Sequence, residues 1–179
     1  LTYTPRGVVD SRSRHRTMVP EEEYEAGHFE SAAAAKELHD RGVTVNIGAH
    51  GQLQGLAAHW ETWMFTQGGM SNHDALKVAT INGANYIGVG EHLGSLEPGK
   101  LADLIVIDGN PLEDIYETEN VVYTMVNGRL YDAPTMNEMG NYQNERLPFW
   151  WEREGYSEQF DWHSIIEADG FGNGHVHGH

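Results

Sequence analysis

The spacing of apolar and polar positions divides the chain into a helical first part and a strand-rich second part. Pro20 followed by Glu21, Glu22 and Glu23 predicts a helix start, because proline gives up no needed donor there and acids meet the positive end of the helix dipole. With a break allowed at Gly27, that helix runs through Ala32, Ala33, Ala34, Ala35 and Leu38 and stops at Gly42, which can adopt the left-handed conformation that ends helices. Val43-Thr44-Val45-Asn46-Ile47-Gly48 alternates β-branched and polar residues and predicts a strand. A short polar turn, Ala49-His50-Gly51-Gln52, follows it. Leu56 to Gln67 has helical length and is closed by Gly68-Gly69. Ser71 with Asp74 three positions on resembles a capping box, opening a helix over Ala75, Leu76, Val78, Ala79 and Ile81, with a turn from Asn82.

Beyond this point the period changes from helix to sheet. Glu97-Pro98-Gly99-Lys100 suits a type II turn, with proline and glycine at its two central positions. It feeds Leu101 to Ile107, a near-continuous apolar strand. Val121 to Val126, Asn127-Gly128 and Arg129 to Tyr131 form the strongest hairpin signal in the chain, because Asn-Gly accepts the positive φ angles of a type I′ turn. A small β layer should therefore follow the α/β part.

Charge narrows the choice of partners. The chain has 179 residues and a formal net charge of −16, a field that disfavours phosphate backbones and anionic lipid. Nucleic acid and membrane surfaces are accordingly excluded as expected partners. No run approaches the roughly 18 apolar residues of a membrane span, so the chain reads as soluble. The arginines Arg6, Arg12, Arg14 and Arg16 oppose an acidic end. They suit a solvated loop or a patch against acidic protein better than an anion site. Phe149, Trp150, Trp151, Tyr156, Phe160 and Trp162 lie among acids without a clean period. Packing onto another surface suits them better than stacking on nucleic acid, given the negative charge around them. Gly174 to His179 alternates glycine and histidine and reads as a tail.

Cysteine is absent, which removes disulfides, zinc ribbons and thiol nucleophiles and leaves histidine and carboxylate to carry any metal. In α/β units chemistry collects past the carboxyl ends of strands. His50 falls there, among the small residues Gly48, Ala49 and Gly51, with Gln52 beside it. A lone imidazole in a turn serves structure as readily as chemistry; its position favours chemistry. His59 and Glu61 lie on the next helix with Trp60 and Trp63 around them. A spacing of two does not share a helix face, so they are not a metal pair, and one should face the site while the other does not. His28, His39 and His73 read as solvated. No Gly-rich phosphate loop and no Gly-x-Ser-x-Gly elbow is present.

The stretch Gly94-Ser-Leu-Glu-Pro-Gly-Lys-Leu-Ala-Asp-Leu-Ile-Val-Ile-Asp108, preceded by Asp74-Ala-Leu-Lys-Val-Ala-Thr80 and Asn82-Gly-Ala84, resembles the carboxyl-terminal part of the metal-dependent amidohydrolase superfamily. Asp108-Gly109-Asn110-Pro111-Leu112 and Val126-Asn127-Gly128-Arg129 continue the likeness, which covers about residues 20 to 135. It is most similar to the imidazolonepropionase-like group, especially large amidohydrolases fused to a β-propeller, whose last barrel strand runs into Gly-Ala-His-Gly-Gln. The resemblance implies hydrolysis of a carbon–nitrogen bond in an amide, often cyclic, by water activated on one or two divalent ions, zinc above others. Family ligands follow the first, fourth, fifth, sixth and eighth strands, and only the eighth-strand position can lie here. There the usual Gly-Thr-Asp or Gly-Ser-Asp reads Gly48-Ala49-His50. His50 thus stands where the family places the aspartate that ligates metal and shuttles the proton.

The expected fold class is α/β: an incomplete (β/α)8 TIM-barrel segment, its last strands and helices, plus the C-terminal β-sandwich strands of a composite domain. Residues 1–93 are expected to be the end of the barrel, 94–135 the sandwich strands and 136–179 an acidic aromatic tail, partly disordered. Eight strands with their helices need roughly 200 to 250 residues, and the first residue is Leu1. A fragment or processed form is therefore expected, inactive in isolation, that leans on the rest of a parent chain. The expected substrate is a small-molecule amide, with His50 as catalytic residue and metal ligand and with Gln52 and His59 binding substrate. The parent's compartment stays open, periplasmic or secreted among the choices. The rival is a noncatalytic acidic protein-interaction module derived from such a barrel.

Overall fold

The computed structural model describes residues 27–49, 55–149 and 152. The expected helix start at Pro20, the arginine run, the His50-Gly51-Gln52 turn and the tail aromatics from Trp150 onward lie outside the described residues. The chain forms two units, residues 20–146 and residues 1–19 with 147–179. In the second, Phe149 N–H donates to Glu152 Oε2 at 2.7 Å.

The first unit begins with helix α1 (His28–Asp40). It ends as expected, with Gly42 at φ 85°, where a side chain would be strained. Helix α2 (Leu56–Gln67) matches its expected span. Its exit lies against α1, since a Cβ on Gly68 would stand 2.3 Å from the Ala32 carbonyl carbon. Helix α3 (Asn72–Val78) is capped by Ser71, whose hydroxyl accepts Asp74 N–H at 3.1 Å and donates to Asp74 Oδ2 at 2.7 Å. The helix expected to continue to Ile81 instead breaks at Ala79-Thr80, where the Thr80 hydroxyl donates to Leu76 O at 2.7 Å. A separate helix, α4 (Ile81–Tyr86), then contains Asn82, the residue expected to open a turn. His39, expected to be solvated, is half-buried with Nε2 3.8 Å from Asp74 Oδ2.

The strand expected over Val43–Gly48 is not formed. Alternation is present, because Val45 and Ile47 both pack against the core of Phe65, Met70, Ala75 and Val78. A strand also needs a ladder. Apart from Val43 N–H, which donates to Leu38 O at 3.0 Å, this stretch makes no backbone-to-backbone hydrogen bond among the described residues. Side chains hold it instead, as described below.

The type II turn is present: Gly99 has φ 95° and Lys100 N–H donates to Glu97 O at 3.2 Å. Lys100 Nζ is folded back onto Gly90 O at 2.7 Å. Regular strand structure starts later than expected, in β1 (Leu104–Ile107). A 3-10 helix (Ile115–Glu119), capped by Asp114, leads to β2 (Val121–Val126), β3 (Arg129–Asp132) and β4 (Glu138–Met139). All neighbours are antiparallel in the order β1-β2-β3-β4. The expected hairpin is there, with Asn127 at φ 50°, Gly128 at φ 77° and Val126 opposite Arg129. Leu104, Met125, Leu130 and Met139 align across the strands on one face, and Ile105, Thr124, Tyr131 and Glu138 on the other. No helix among the described residues is long and apolar enough to cross a membrane.

Candidate functional site

His50 and Gln52 lie outside the described residues; the backbone leading to them does not. Gly48 N–H donates to Glu61 Oε2 at 2.8 Å. Three residues upstream, Val45 O accepts Asn82 Nδ2 at 3.0 Å. Glu61 comes from α2 and Asn82 from α4, so two helices grip the stretch just before His50. Between the grips, Val45 and Ile47 face the helical core. Asn46, which alternates with them, has a buried Oδ1 without a hydrogen-bond partner.

His59 and Glu61 diverge as a spacing of two requires. Glu61 reaches the Gly48 peptide, whereas half-buried His59 feels the charge of Glu119 at the end of the 3-10 helix. Burial pushes the His59 imidazole below its usual pKa, with Glu119 opposing that shift. It is therefore neutral at pH 7, with one nitrogen to donate and one to accept. On the same side of α2, Trp63 Nε1 donates to Thr118 Oγ1 at 2.8 Å and the Trp63 ring meets Tyr116 at 4.9 Å. α2 thus touches the segment preceding His50 with Glu61 and the approach to the sheet with Trp63.

The sequence required one of His59 and Glu61 to face the site without saying which, and the part Glu61 plays in holding Gly48 was not read from it. The available signal was the spacing itself, which required one of the two to turn toward the preceding segment. Asn82 was missed because it was assigned to a turn. Among the described residues no group of three or more His, Asp or Glu converges. These side chains alone do not fit a metal centre.

A second polar centre lies on the sheet. Glu138, 5% exposed, is held by Arg129 through both carboxylate oxygens at 2.6 and 2.7 Å and by Asn144 at 2.7 Å. The Arg129 hydrogen bonds, followed by that of Asn144, hold the Glu138 carboxyl at about 2. Arg129 also lies over the rings of Tyr131 and Tyr142. Every charge here is satisfied within the sheet, which marks the cluster as structural.

A model described as the amidohydrolase family matches residues 12–131. A 5-methylthioadenosine/S-adenosylhomocysteine deaminase from Teredinibacter turnerae is 37% identical over 108 residues, which are 52% of this chain and 24% of that protein. An imidazolonepropionase from Picrophilus torridus is 42% identical over 62 residues, 33% of this chain and 16% of that protein. The crystal structure of a Xaa-Pro dipeptidase with bound methionine in its active site superposes with TM-score 0.52 at 33% identity, over 57% of this chain and 25% of that one. This chain thus spans about a quarter or less of the length of each. Because the family match takes in both the helices that grip Gly48 and the sheet up to Tyr131, the chain belongs to the amidohydrolase family.

Proposed function

We propose that this chain is the carboxyl-terminal portion of a metal-dependent hydrolase that cleaves a non-peptide carbon–nitrogen bond in a small-molecule amide, cyclic amides included. The observation that carries this reading is the family match over residues 12–131, together with the tethering of Gly48 two positions before His50. Residues 1–93 would be the end of a TIM barrel, with 43–48 as a barrel strand whose ladder partners belong to the longer protein. Residues 94–135 would supply strands of a β-sandwich, and 136–179 an acidic aromatic tail. The buried, unpartnered Asn46 Oδ1 supports such a neighbour, since buried acceptors are rarely left unpaired.

His50 is the proposed catalytic residue. An imidazole titrates near neutrality and can both bind a metal and accept a proton, the two tasks of the aspartate it replaces. Gln52 and the neutral His59 are the proposed substrate-binding groups. Amidohydrolases generally use a divalent metal; zinc is proposed here, with His50 as this chain's ligand and the remaining ligands in the longer protein. The names of the relatives, a deaminase and an imidazolonepropionase, favour a hydrolase over a noncatalytic interaction module.

The test is hydrolysis by the full-length protein of a panel comprising 5-methylthioadenosine, S-adenosylhomocysteine, an imidazolone and an Xaa-Pro dipeptide, before and after chelation. Release of ammonia or a ring-opened acid from at least one, lost on chelation and restored by zinc, is the expected result, and cleavage of the dipeptide alone would contradict the non-peptide assignment. No carbon–nitrogen cleavage on any of them contradicts the reading, and turnover that survives chelation contradicts its metal dependence.

A further inference from the structure

The dipeptide that builds the hairpin also carries chemistry of its own. Asparagine is a thermolabile residue: its side-chain amide can be displaced by the nitrogen of the following peptide, and a following glycine, having no Cβ, screens that nitrogen least. Two such pairs lie among the described residues, Asn82-Gly83 and Asn127-Gly128, and a third, Asn173-Gly174, lies outside them. The fold treats the first two differently. At Asn82 the leaving nitrogen is engaged, with Nδ2 donating to Val45 O at 3.0 Å, and Gly83 lies inside α4. Ring closure there must break that bond and unwind the helix. Asn127 and Gly128 are both exposed, and nothing lies within 4 Å of a Cβ built on Gly128. This turn is held through its backbone: Asn127 N–H donates to Asp103 Oδ1 at 2.6 Å and Gly128 N–H to Ala102 O at 3.1 Å. Opening an exposed turn is a local event of low cost, whereas displacing a helix packed on its neighbours is not.

We propose that Asn127 is a site of spontaneous modification, converted to aspartate or isoaspartate through a succinimide formed with Gly128, and that the fold withholds Asn82 from the same reaction. The Gly128 nitrogen loses its proton and bonds to Asn127 Cγ, and the side-chain nitrogen leaves with that proton as ammonia. Water then adds to one of the two ring carbonyls and that carbonyl's bond to the ring nitrogen breaks, leaving a free carboxylate. Either product places a negative charge beside Asp103, whose carboxylate accepts Asn127 N–H, and like charges at that distance repel. Isoaspartate also inserts a methylene into the main chain. A two-residue turn has no room for the extra atom, so the pairing of Val126 with Arg129 is lost.

The experiment ages the full-length protein at mildly alkaline pH, folded and in denaturant, and follows by mass the peptides that carry Asn82 and Asn127. In denaturant both should gain the mass difference between asparagine and aspartate at similar rates. In the folded protein Asn127 should convert at least ~10-fold faster than Asn82, since α4 must open before Asn82 can react. Asn127→Gly removes the amide and keeps the positive φ, so its thermal midpoint should hold on ageing while that of the parent falls. Equal rates at the two sites in the folded protein overturn the inference, as does an unconverted Asn127 when the denatured sample has reacted fully. A midpoint that falls as far in Asn127→Gly as in the parent overturns the link between this site and the weakening of the hairpin.

Discussion

Trp63 Nε1 donates to Thr118 Oγ1 at 2.8 Å, joining α2 to the 3-10 helix that leads into β2 across 55 positions of sequence. Thr118 is 4% exposed, so its hydroxyl has no ready replacement by water. Thr118→Val keeps the shape of the side chain and leaves the indole N–H without its acceptor, a loss of about 1 to 3 kcal/mol. Thr118→Ser keeps the hydroxyl and should lose much less. Denaturant midpoints of the two variants check this; equal losses would show that the methyl group, not the hydrogen bond, makes the link.

Gly68→Ala should be strongly destabilising for a steric reason alone. The φ of Gly68 is −76°, open to any residue, but the added Cβ would meet the Ala32 backbone at 2.3 Å. The helices would have to separate, at a cost of about 1 to 3 kcal/mol. In α4, Gly83 has nothing within 4 Å of a built Cβ, so Gly83→Ala should stabilise by about 0.5 to 1 kcal/mol through helix propensity. Opposite signs in thermal or chemical unfolding are the expected outcome, and a loss from both would contradict it.

Gly128→Val tests the hairpin. Space is available, since nothing lies within 4 Å of a Cβ there. The cost is therefore that of holding a β-branched residue at φ 77°, about 1 to 3 kcal/mol. Asn127→Gly should be nearly neutral because φ 50° suits both residues. Equal losses would mean that the turn does not set the register of Val126 against Arg129.

Those features were legible in the sequence because a few neighbouring residues decide them. The span of α2, the Ser71 cap, the Glu97–Lys100 turn and the Asn127-Gly128 hairpin each depend on chemistry within a turn or two. Val43–Gly48 was misread as a formed strand because alternation reports which side chains are buried, and a ladder requires a neighbour that local sequence does not contain. Asn82 was misassigned because the chain leaves the helical conformation at Thr80, φ −133° and ψ −97°, and re-enters it at Ile81, which a capping pattern does not announce. β4 is two residues long and gave no period at all. Its buried Glu138 is intelligible only with Arg129 and Asn144 around it. The proposed site residue that the sequence marked, His50, follows from family likeness and from its place after an alternating segment, whereas the contacts of Glu61 and Asn82 to that segment needed the tertiary structure.

Acidification should weaken the sheet through Glu138. Arg129 and Asn144 hold its folded pKa at about 2, against an ordinary value of 4.5. Between those values the unfolded chain binds the proton and the folded chain does not, so this contribution is complete above 4.5 and is lost as pH falls toward 2. Glu138→Gln removes the titrating group. Its unfolding midpoint should therefore change less than that of the parent over this window, and identical pH profiles would contradict the assignment.

The account as a whole depends on His50 standing in for the family aspartate. The most direct measurement compares turnover of His50→Ala and His50→Asp with that of the parent, in the full-length protein and on the panel substrate it hydrolyses. If His50 performs the aspartate's work, His50→Ala should lose about 100-fold or more, and His50→Asp should retain most of the turnover because it restores the residue for which the family site is built. Unchanged turnover in His50→Ala, or losses as large in His50→Asp as in His50→Ala, would contradict the account.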